Sequence, residues 1–440
     1  MADVFPTSIV ANPYLEELTN SIRGKAIPWE GYHKASLITE DELRMLKLYE
    51  SRTQQGSSQF LSQDGYLFAK LFITLLDKLV RVDTLQYLLV VVDDIIEENR
   101  EHANLFHQTS TESPKFPYAP FVKCLSKDDE FLTLKASKVL SSLICTDKSR
   151  HEGVDLSEFI NWIVTQLKSQ NTSTVDIAVQ NLESLLTVSE CRQAFYQTNG
   201  VSILISLLKG SNGNPQAQYQ LIFCFWLLSF EKNIAAEINS KYDIIPIFMD
   251  VAKTTVKEKV IRAVISTYRN LIEKAPEQNM AAMLVHKLLN FVDNLTTRKW
   301  SDADVPDDLQ YIKAELEENF QSLTTFDEYV SELESGKLSW TPPHQSEQFW
   351  QQNFARLNEN DFALLRVLAR LLSTSSDPVV LSVGTHDIGQ YVKHYPNGKK
   401  VVQEIGVKQR IMELMAHENS DVRYQALLAV QKLMVNAWDA

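Results

Sequence analysis

Leu221-Ile-Phe-Cys-Phe-Trp-Leu-Leu228 is apolar on every side of a helix. A helix of that kind persists in water only between neighbours, and the surrounding spacing supplies them. Leu221, Phe225 and Leu228 stand at offsets 0, 4 and 7, which puts three side chains on one helix face. Ala136, Leu140 and Leu143 precede them at the same offsets, as do Ala178, Leu182 and Leu185; Val264, Tyr268 and Leu271 follow. The first positions step by 42, 43 and 43 residues, the length of one HEAT or armadillo unit of two or three helices. Such units bury their apolar faces by stacking on one another. The stretch 130–273 therefore reads as an all-α, HEAT/armadillo-like helical-repeat solenoid, with an irregular all-helical domain as the alternative.

The remaining composition sets limits. A chain of 440 residues has room for two or more domains or one extended array. Hydrophobic residues make up 44% and charged residues 22%, the balance of an ordinary soluble protein. The eight residues 221–228 are the longest fully apolar run, far short of the ~20 that cross a bilayer, so no direct membrane insertion is expected. Positions 1–22 contain no Lys or Arg and no long apolar core, unlike a signal peptide. A cytoplasmic location follows as the expectation. Net charge is −13, which argues against nucleic acid as a partner. Cys124, Cys145, Cys191 and Cys224 show no close pairing and read as small buried hydrophobes.

Along the chain, residues 1–35 carry Pro6, Pro13, Gly24, Pro28 and Gly31 and read as an irregular leader with one short helix. Thr39 and Glu42 form a capping box that opens a helix through about Tyr49. Helices are expected at Asp64–Leu79 and Thr84–Asn99, and a loop at Ser110–Pro120. From Ser301 to Ser335, eleven acidic residues face the single Lys313, whereas 353–440 is nearly neutral, so 301–335 reads as an acidic connector. Gly336-Lys-Leu-Ser-Trp-Thr-Pro-Pro-His344 follows. Two adjacent prolines cannot continue a helix, and the residue before each is driven towards extended geometry. This is the expected interdomain hinge, with Gly336, Trp340, Pro342, Pro343 and His344 as its residues and the first limited-proteolysis cut as its signature. The division is then an N-terminal solenoid 1–338, a hinge 339–345 and a smaller helical-repeat domain 346–440. Asp421-Val-Arg423, followed by Ala426, Val430 and Leu433 at offsets 0, 4 and 7, is a HEAT-like signature in that domain.

Chemistry is sparse. There is no Gly-x4-Gly-Lys-Ser/Thr, no Gly-x-Gly-x-x-Gly, no Gly-x-Ser-x-Gly and no His-Glu-x-x-His; Asn397-Gly-Lys-Lys400 is the nearest approach to a phosphate loop. No catalytic, cofactor or metal site is expected. Asp93, Asp94, Glu97 and Glu98 read as a solvated helix face. Between 384 and 400, His386, Tyr391, Lys393, His394, Lys399 and Lys400 interleave cationic and aromatic side chains. They form either a contact surface or a solvated helix end with half-buried tyrosines. Ser373, Thr374, Ser375, Ser376 and Asp377 form either an exposed contact loop or a plain connector.

Specific stretches carry a family resemblance. Val383-Gly-Thr-His-Asp-Ile-Gly-Gln-Tyr-Val-Lys-His-Tyr-Pro-Asn-Gly-Lys-Lys400, Trp340-Thr-Pro-Pro-His-Gln-Ser-Glu-Gln-Phe-Trp350 and Asp421-Val-Arg-Tyr-Gln-Ala-Leu-Leu-Ala-Val-Gln-Lys-Leu-Met434 resemble the H subunit of the vacuolar-type proton-pumping ATPase. So do Val91-Val-Asp-Asp94, Phe159-Ile-Asn-Trp-Ile-Val-Thr-Gln-Leu167, Gln218-Tyr-Gln-Leu-Ile-Phe223, Val256-Lys-Glu-Lys-Val260 and Phe326-Asp-Glu-Tyr329. The resemblance implies a two-domain helical-repeat fold and no enzymatic activity of the chain itself. It implies a regulatory subunit of the peripheral ATPase sector, on the cytosolic face of vacuolar or endolysosomal membranes. The implied partners are the peripheral-stalk E and G chains, the soluble domain of the membrane-sector a subunit and, after detachment, the catalytic head and rotor. The implied roles are coupling of ATP hydrolysis to proton pumping and silencing of hydrolysis in the detached sector. An armadillo or HEAT scaffold or adaptor of another complex is the alternative; the Trp-x3-Asn ladder of import adaptors is missing, since Trp226 is followed by Phe230 and Trp162 by Gln166.

Overall fold

The computed structural model describes residues 12–54, 61–147, 153–323 and 326–434; these form α-helices and short 3-10 turns, with no strand among them. Each of the four repeated triplets lies on a helix: Glu130–Thr146, Thr172–Leu185, Pro215–Leu228 and Glu258–Lys274. All their members are buried, from Ala136, Leu140 and Leu143 through to Val264, Tyr268 and Leu271. The helices start where the chain supplies caps. Asp129, Asn171 and Asn214 each accept a backbone N–H of the first turn, and Thr39 and Glu42 form the reciprocal capping pair. The first three of these helices pack on one another in sequence order. Buried Asn181 donates to Ser137 Oγ at 2.9 Å between the first two, so the stack is registered by polar contacts as well as by apolar ones.

The chain divides into two compact units, Met1–Ile238 with Val251–Thr267, and Asn239–Asp250 with Tyr268–Ala440. In the first, residues 12–35 are more ordered than an irregular leader: Pro13–Arg23 and Trp29–Lys34 are helices. Asn12 caps the first of them, Leu15 and Ile22 reach Val90, Phe131, Leu134 and Ile177, and Arg23 holds Asp94 through two nitrogens, at 2.6 and 3.0 Å. The expected helices are found at Leu61–Lys78 and Val82–Glu98. The expected loop 110–120 is shorter, because Tyr118 opens the helix Tyr118–Leu125 with Pro120 in its first turn.

The carboxylate group on the helix Val82–Glu98 is not uniformly solvated. Asp93 is 2% exposed and pairs with Lys135, itself 3% exposed, and with Lys138 at 3.0 Å. Lys138 also pairs with Glu97. Burial opposes the Asp93 charge, yet the two ammonium groups hold its carboxyl below the usual carboxylate range. The helices Val82–Glu98 and Glu130–Thr146 are thereby joined by a dry ionic contact.

In the second unit, the acidic stretch 301–335 is largely helical. It forms the helices Asp304–Leu323 and Phe326–Ser335. Val305, Leu309, Ile312 and Leu316, at offsets 0, 4, 7 and 11, are buried; among the acids of this helix Asp308 is buried beside them and paired with Arg269, while Asp304, Asp307, Glu317 and Glu318 are exposed. The C-terminal core begins at Phe326: Phe326, Tyr329, Leu333 and Leu338 share one cluster with Phe349 and Trp350. The expected hinge lies inside that core. Pro342, Pro343 and His344 are buried in the short helix Pro342–Gln345, because a proline pair can open a helix at positions whose N–H groups have no partner anyway. The early proteolytic cut expected there loses its physical basis.

Asp93→Leu leaves the buried Lys135 ammonium without its counter-charge. It should cost about 3–5 kcal/mol in urea denaturation, and adding Lys135→Met should recover most of that loss. A single-variant loss below about 1 kcal/mol would contradict the buried pairing.

Candidate functional site

The residues singled out at 336–344 and at 386 come together in one buried polar centre. Gly336, at φ +70°, closes the helix Phe326–Ser335 in the left-handed conformation that favours glycine. The chain then turns back along that helix, and Glu332 receives it. Its carboxylate accepts the Ser339 backbone N–H at 2.7 Å and the Thr341 hydroxyl at 2.6 Å. The next turn delivers His344 into the core. Its Nδ1 lies 2.7 Å from Asp387 Oδ2, and its Nε2 lies 3.3 Å from Glu332 Oε2 without hydrogen-bond alignment. Tyr329 donates its hydroxyl to Asp387 Oδ2 at 3.1 Å. Trp350 Nε1–H donates to the His344 carbonyl at 3.3 Å, and His386 Nε2 is 3.0 Å from that oxygen. His386 Nδ1 lies 3.2 Å from Gln425 Oε1, and the Trp340 ring meets the His386 ring edge-on at 5.2 Å.

Asp387 is presented by the helix Pro378–His394, which Asp377 caps through Val379 N–H at 2.8 Å. That helix packs directly on Ser420–Met434. Gly389 permits the approach, since a Cβ there would stand 3.3 Å from Ala429 Cα. His344 and Asp387 both have side chains 0% exposed. Burial alone would push the His344 imidazole down, but Asp387, and then Glu332, hold it up to about 9. Burial likewise works against the Glu332 charge, while His344 keeps that carboxyl below its ordinary value. The Tyr329 phenol is pushed well up by burial and by Asp387. His386, mainly through burial, is held below the ordinary imidazole value.

Chemically this is an imidazolium clamped between two carboxylates. Its Asp–His pair has the look of part of a hydrolytic triad. The hydroxyl beside it belongs to Tyr329, which is bonded to Asp387 and fully buried, so the arrangement braces helices and offers no nucleophile to a substrate. Among the described residues no group of three or more His, Cys, Asp or Glu is placed to hold a metal ion.

The other singled-out residues separate. Tyr391 is fully buried and donates to Asn358 Oδ1 at 2.6 Å; it belongs to the core and presents nothing to a partner. Lys393 is exposed and paired with Glu347 at 2.6 Å, and half-buried His394 sits 3.1 Å from the same carboxylate. Lys399 is half-buried, and Lys400 is exposed. Ser373 and Thr374 are the last turn of the helix Glu359–Thr374, bonded back to Ala369 and Arg370 carbonyls. The loop is therefore Ser375–Asp377, with Ser376 and Asp377 exposed. Tyr329, Glu332 and Asp387 escaped sequence reasoning. The available signal was Asp387 itself, a charge at offset 7 from Val380 on an otherwise apolar helix face.

His344 has its proton affinity raised on folding, so its stabilising contribution is whole below its ordinary value of 6.5 and is lost as pH rises through about 9. The melting temperature should fall across that window in the wild type and change less in His344→Gln. Equal slopes in the two proteins would contradict the charged-imidazole assignment. Asp387→Asn should destabilise by about 3–5 kcal/mol.

Comparison with known proteins agrees with this architecture. Two family models, both described as the H subunit of the V-ATPase, match residues 13–316 and 322–438. The curated V-type proton ATPase H subunit of Drosophila melanogaster is 37% identical over 98% of this chain and 92% of its own. A probable V-type proton ATPase H subunit of Caenorhabditis elegans is 32% identical over 98% and 93%. The probable H subunit of Oryza sativa subsp. japonica is 31% identical over 96% and 98%. The first family model ends at Leu316 and the second begins at Ser322, just ahead of the Phe326 at which the C-terminal core starts. With near full-length relatives on one side and two matching domains on the other, the chain belongs to the V-ATPase H-subunit family.

Proposed function

We propose that this chain is a non-catalytic regulatory subunit of the peripheral sector of the vacuolar proton-translocating ATPase. In the assembled pump it couples ATP hydrolysis to proton transport; in the detached sector it inhibits hydrolysis. The observation that carries this reading is the pair of H-subunit family models spanning 13–438. The repeat architecture supports the manner of action. Stacked helices offer a long surface suited to an elongated helical partner, here the E and G chains of the peripheral stalk. The region from Phe326 onward meets the soluble domain of the a subunit in the assembled pump, and the catalytic head and rotor after detachment.

The buried centre bears on that second role. With His344 tied to Asp387, the segment 336–345 belongs to the C-terminal body, so a change of position carries this segment along with the body. Each position needs its own contacts, since a transition without differential affinity is unexplained. The exposed candidates are Ser373, Thr374, Ser376, Asp377, Lys393 and Lys400. No helix among the described residues is long and apolar enough to cross a membrane. Residence on the cytosolic face of vacuolar or endolysosomal membranes then comes from partner subunits.

Purified from cells, the chain should co-elute with ATPase subunits; recovery with an unrelated complex would favour the scaffold reading. Removing 322–440 should leave the chain bound to the peripheral sector, abolish proton pumping and restore ATP hydrolysis in detached sectors. Detached sectors that stay silent with the shortened chain would contradict the inhibitory role. Titration of the isolated chain with ATP in a calorimeter should show no saturable micromolar site.

A further inference from the structure

In the first unit the helices Thr172–Leu185 and Pro215–Leu228 pack side by side. Tyr219, Phe223 and Trp226 occupy offsets 0, 4 and 7 on the second of them, and Phe230 continues the row. Successive ring centroids are 5.8, 5.1 and 4.8 Å apart. Phe223 and Trp226 form a nearly covered floor at 4% and 7% exposure, while Tyr219 and Phe230 are half-exposed at its two ends. The neighbouring helix sets Asp176, Gln180 and Glu183 at the same offsets, with Asp176 exposed and the other two partly exposed. Gln220 bridges the two rows, donating to Glu183 Oε2 at 3.4 Å, and the Glu183 charge reaches the Tyr219 phenol.

Among the described residues, neither carboxylate has a cation opposing its burial. Partial desolvation raises the carboxyl of Asp176, which stays exposed at the end of the row. Burial pushes Glu183 up to about 8, against only the Gln220 hydrogen bond. Arg262, from the helix Glu258–Lys274, acts on the Tyr219 phenol. Elsewhere in this unit, Asp93 is matched by Lys135 and Lys138, Glu42 by Lys78 and Glu231 by Arg192, while Glu50 and Asp129 meet neutral donors, Trp29 and Tyr87 for the first and Gln86 for the second. This face sets two acids without a cation, seven residues apart, next to a continuous aromatic row, and aromatic faces attract cations.

We propose that this face docks a basic amphipathic helix of a partner protein, which places two Lys or Arg residues seven positions apart over Asp176 and Glu183 and lays an apolar residue between them on the Tyr219–Trp226 row. The spacing follows from the receptor: Asp176 and Glu183 are seven residues apart, about 10 Å along a helix, and a partner helix lying alongside repeats that distance at the same separation. The proposal holds whichever complex the chain enters.

The test uses the full-length protein and a fluorescently labelled helical peptide carrying two lysines seven residues apart with leucine between them, bearing a photo-crosslinker. A matched peptide has glutamate at both lysine positions. The lysine peptide should bind saturably, lose affinity with added salt, and crosslink to the helices Thr172–Leu185 or Pro215–Leu228. The Asp176→Asn/Glu183→Gln double variant should bind it roughly tenfold more weakly. The same variant should melt no lower than the wild type, since Glu183 is already costly to ionise where it stands. Equal binding of the two peptides, unchanged affinity in the double variant, or crosslinks confined to other helices would overturn the proposal. Self-association of the protein abolished by Glu183→Gln, without peptide binding, would assign the face to a second copy of the chain and overturn it as well.

Discussion

A charged imidazole inside a protein costs several kcal/mol unless opposite charge and hydrogen bonds are buried with it. That constraint explains why the C-terminal part of this chain is built as it is. Charged His344 requires Asp387 and Glu332, and these three residues come from the helices Pro342–Gln345, Pro378–His394 and Phe326–Ser335. Tyr329 orients Asp387, while His386 carries the connection from the His344 carbonyl to Gln425 on the helix Ser420–Met434. Four helices are thus tied together through these polar contacts. The apolar side chains around them, Phe349, Trp350 and Leu338 among them, exclude the water that would weaken the contact. The first unit uses the same device, with Asp93 tied to Lys135 and Lys138 across two helices. Hydrophobic burial supplies the bulk of stability in both units, and these ionic contacts select one packing among many.

The apolar repeat was legible in the chain because stacking leaves a helix no choice about its core face. Offsets 0, 4 and 7 from Ala136, Ala178, Leu221 and Val264 all point to buried positions. The polar residues were much less legible. A carboxylate in a sequence reads as solvated, and only the fold shows which one meets a cation. Asp93 follows Val90-Val-Val92 and is drawn inward with them. In 301–335 the density of acid masks Val305, Leu309, Ile312 and Leu316, whose spacing is that of any buried helix. Prolines mislead in the opposite direction. Pro342-Pro343 forbids a helix running into it, yet favours one starting there, and the burial of His344 decides between the two. Tyr391 shows the same limit: Lys393 is exposed, but two helical steps of about 100° turn it to the side opposite Tyr391.

The two halves of the proposed role ask for different things. Binding to a long helical partner asks for a continuous surface, and stacked repeats provide one. Regulation asks for a body that keeps its shape while its contacts change, and the buried centre provides that for the region from Phe326 onward. On that proposal, the residues offered to partners are the exposed ones between Ser373 and Asp377 and near the end of the helix Pro378–His394, whereas Trp340, His344, His386 and Tyr391 hold the frame on which they are displayed.

Backbone hydrogen exchange across 338–346 tests the central claim most directly. His344 N–H is bonded to the Thr341 carbonyl and Ser346 N–H to the Pro342 carbonyl, at 3.2 and 3.0 Å, in a segment whose side chains are buried from Pro342 to His344. If the segment is part of the C-terminal core, these amides exchange as slowly as those in the middle of the helix Pro378–His394, and Asp387→Asn accelerates both together. Exchange of 338–346 within seconds, while the helix Pro378–His394 stays protected, would show an open connector and contradict the account.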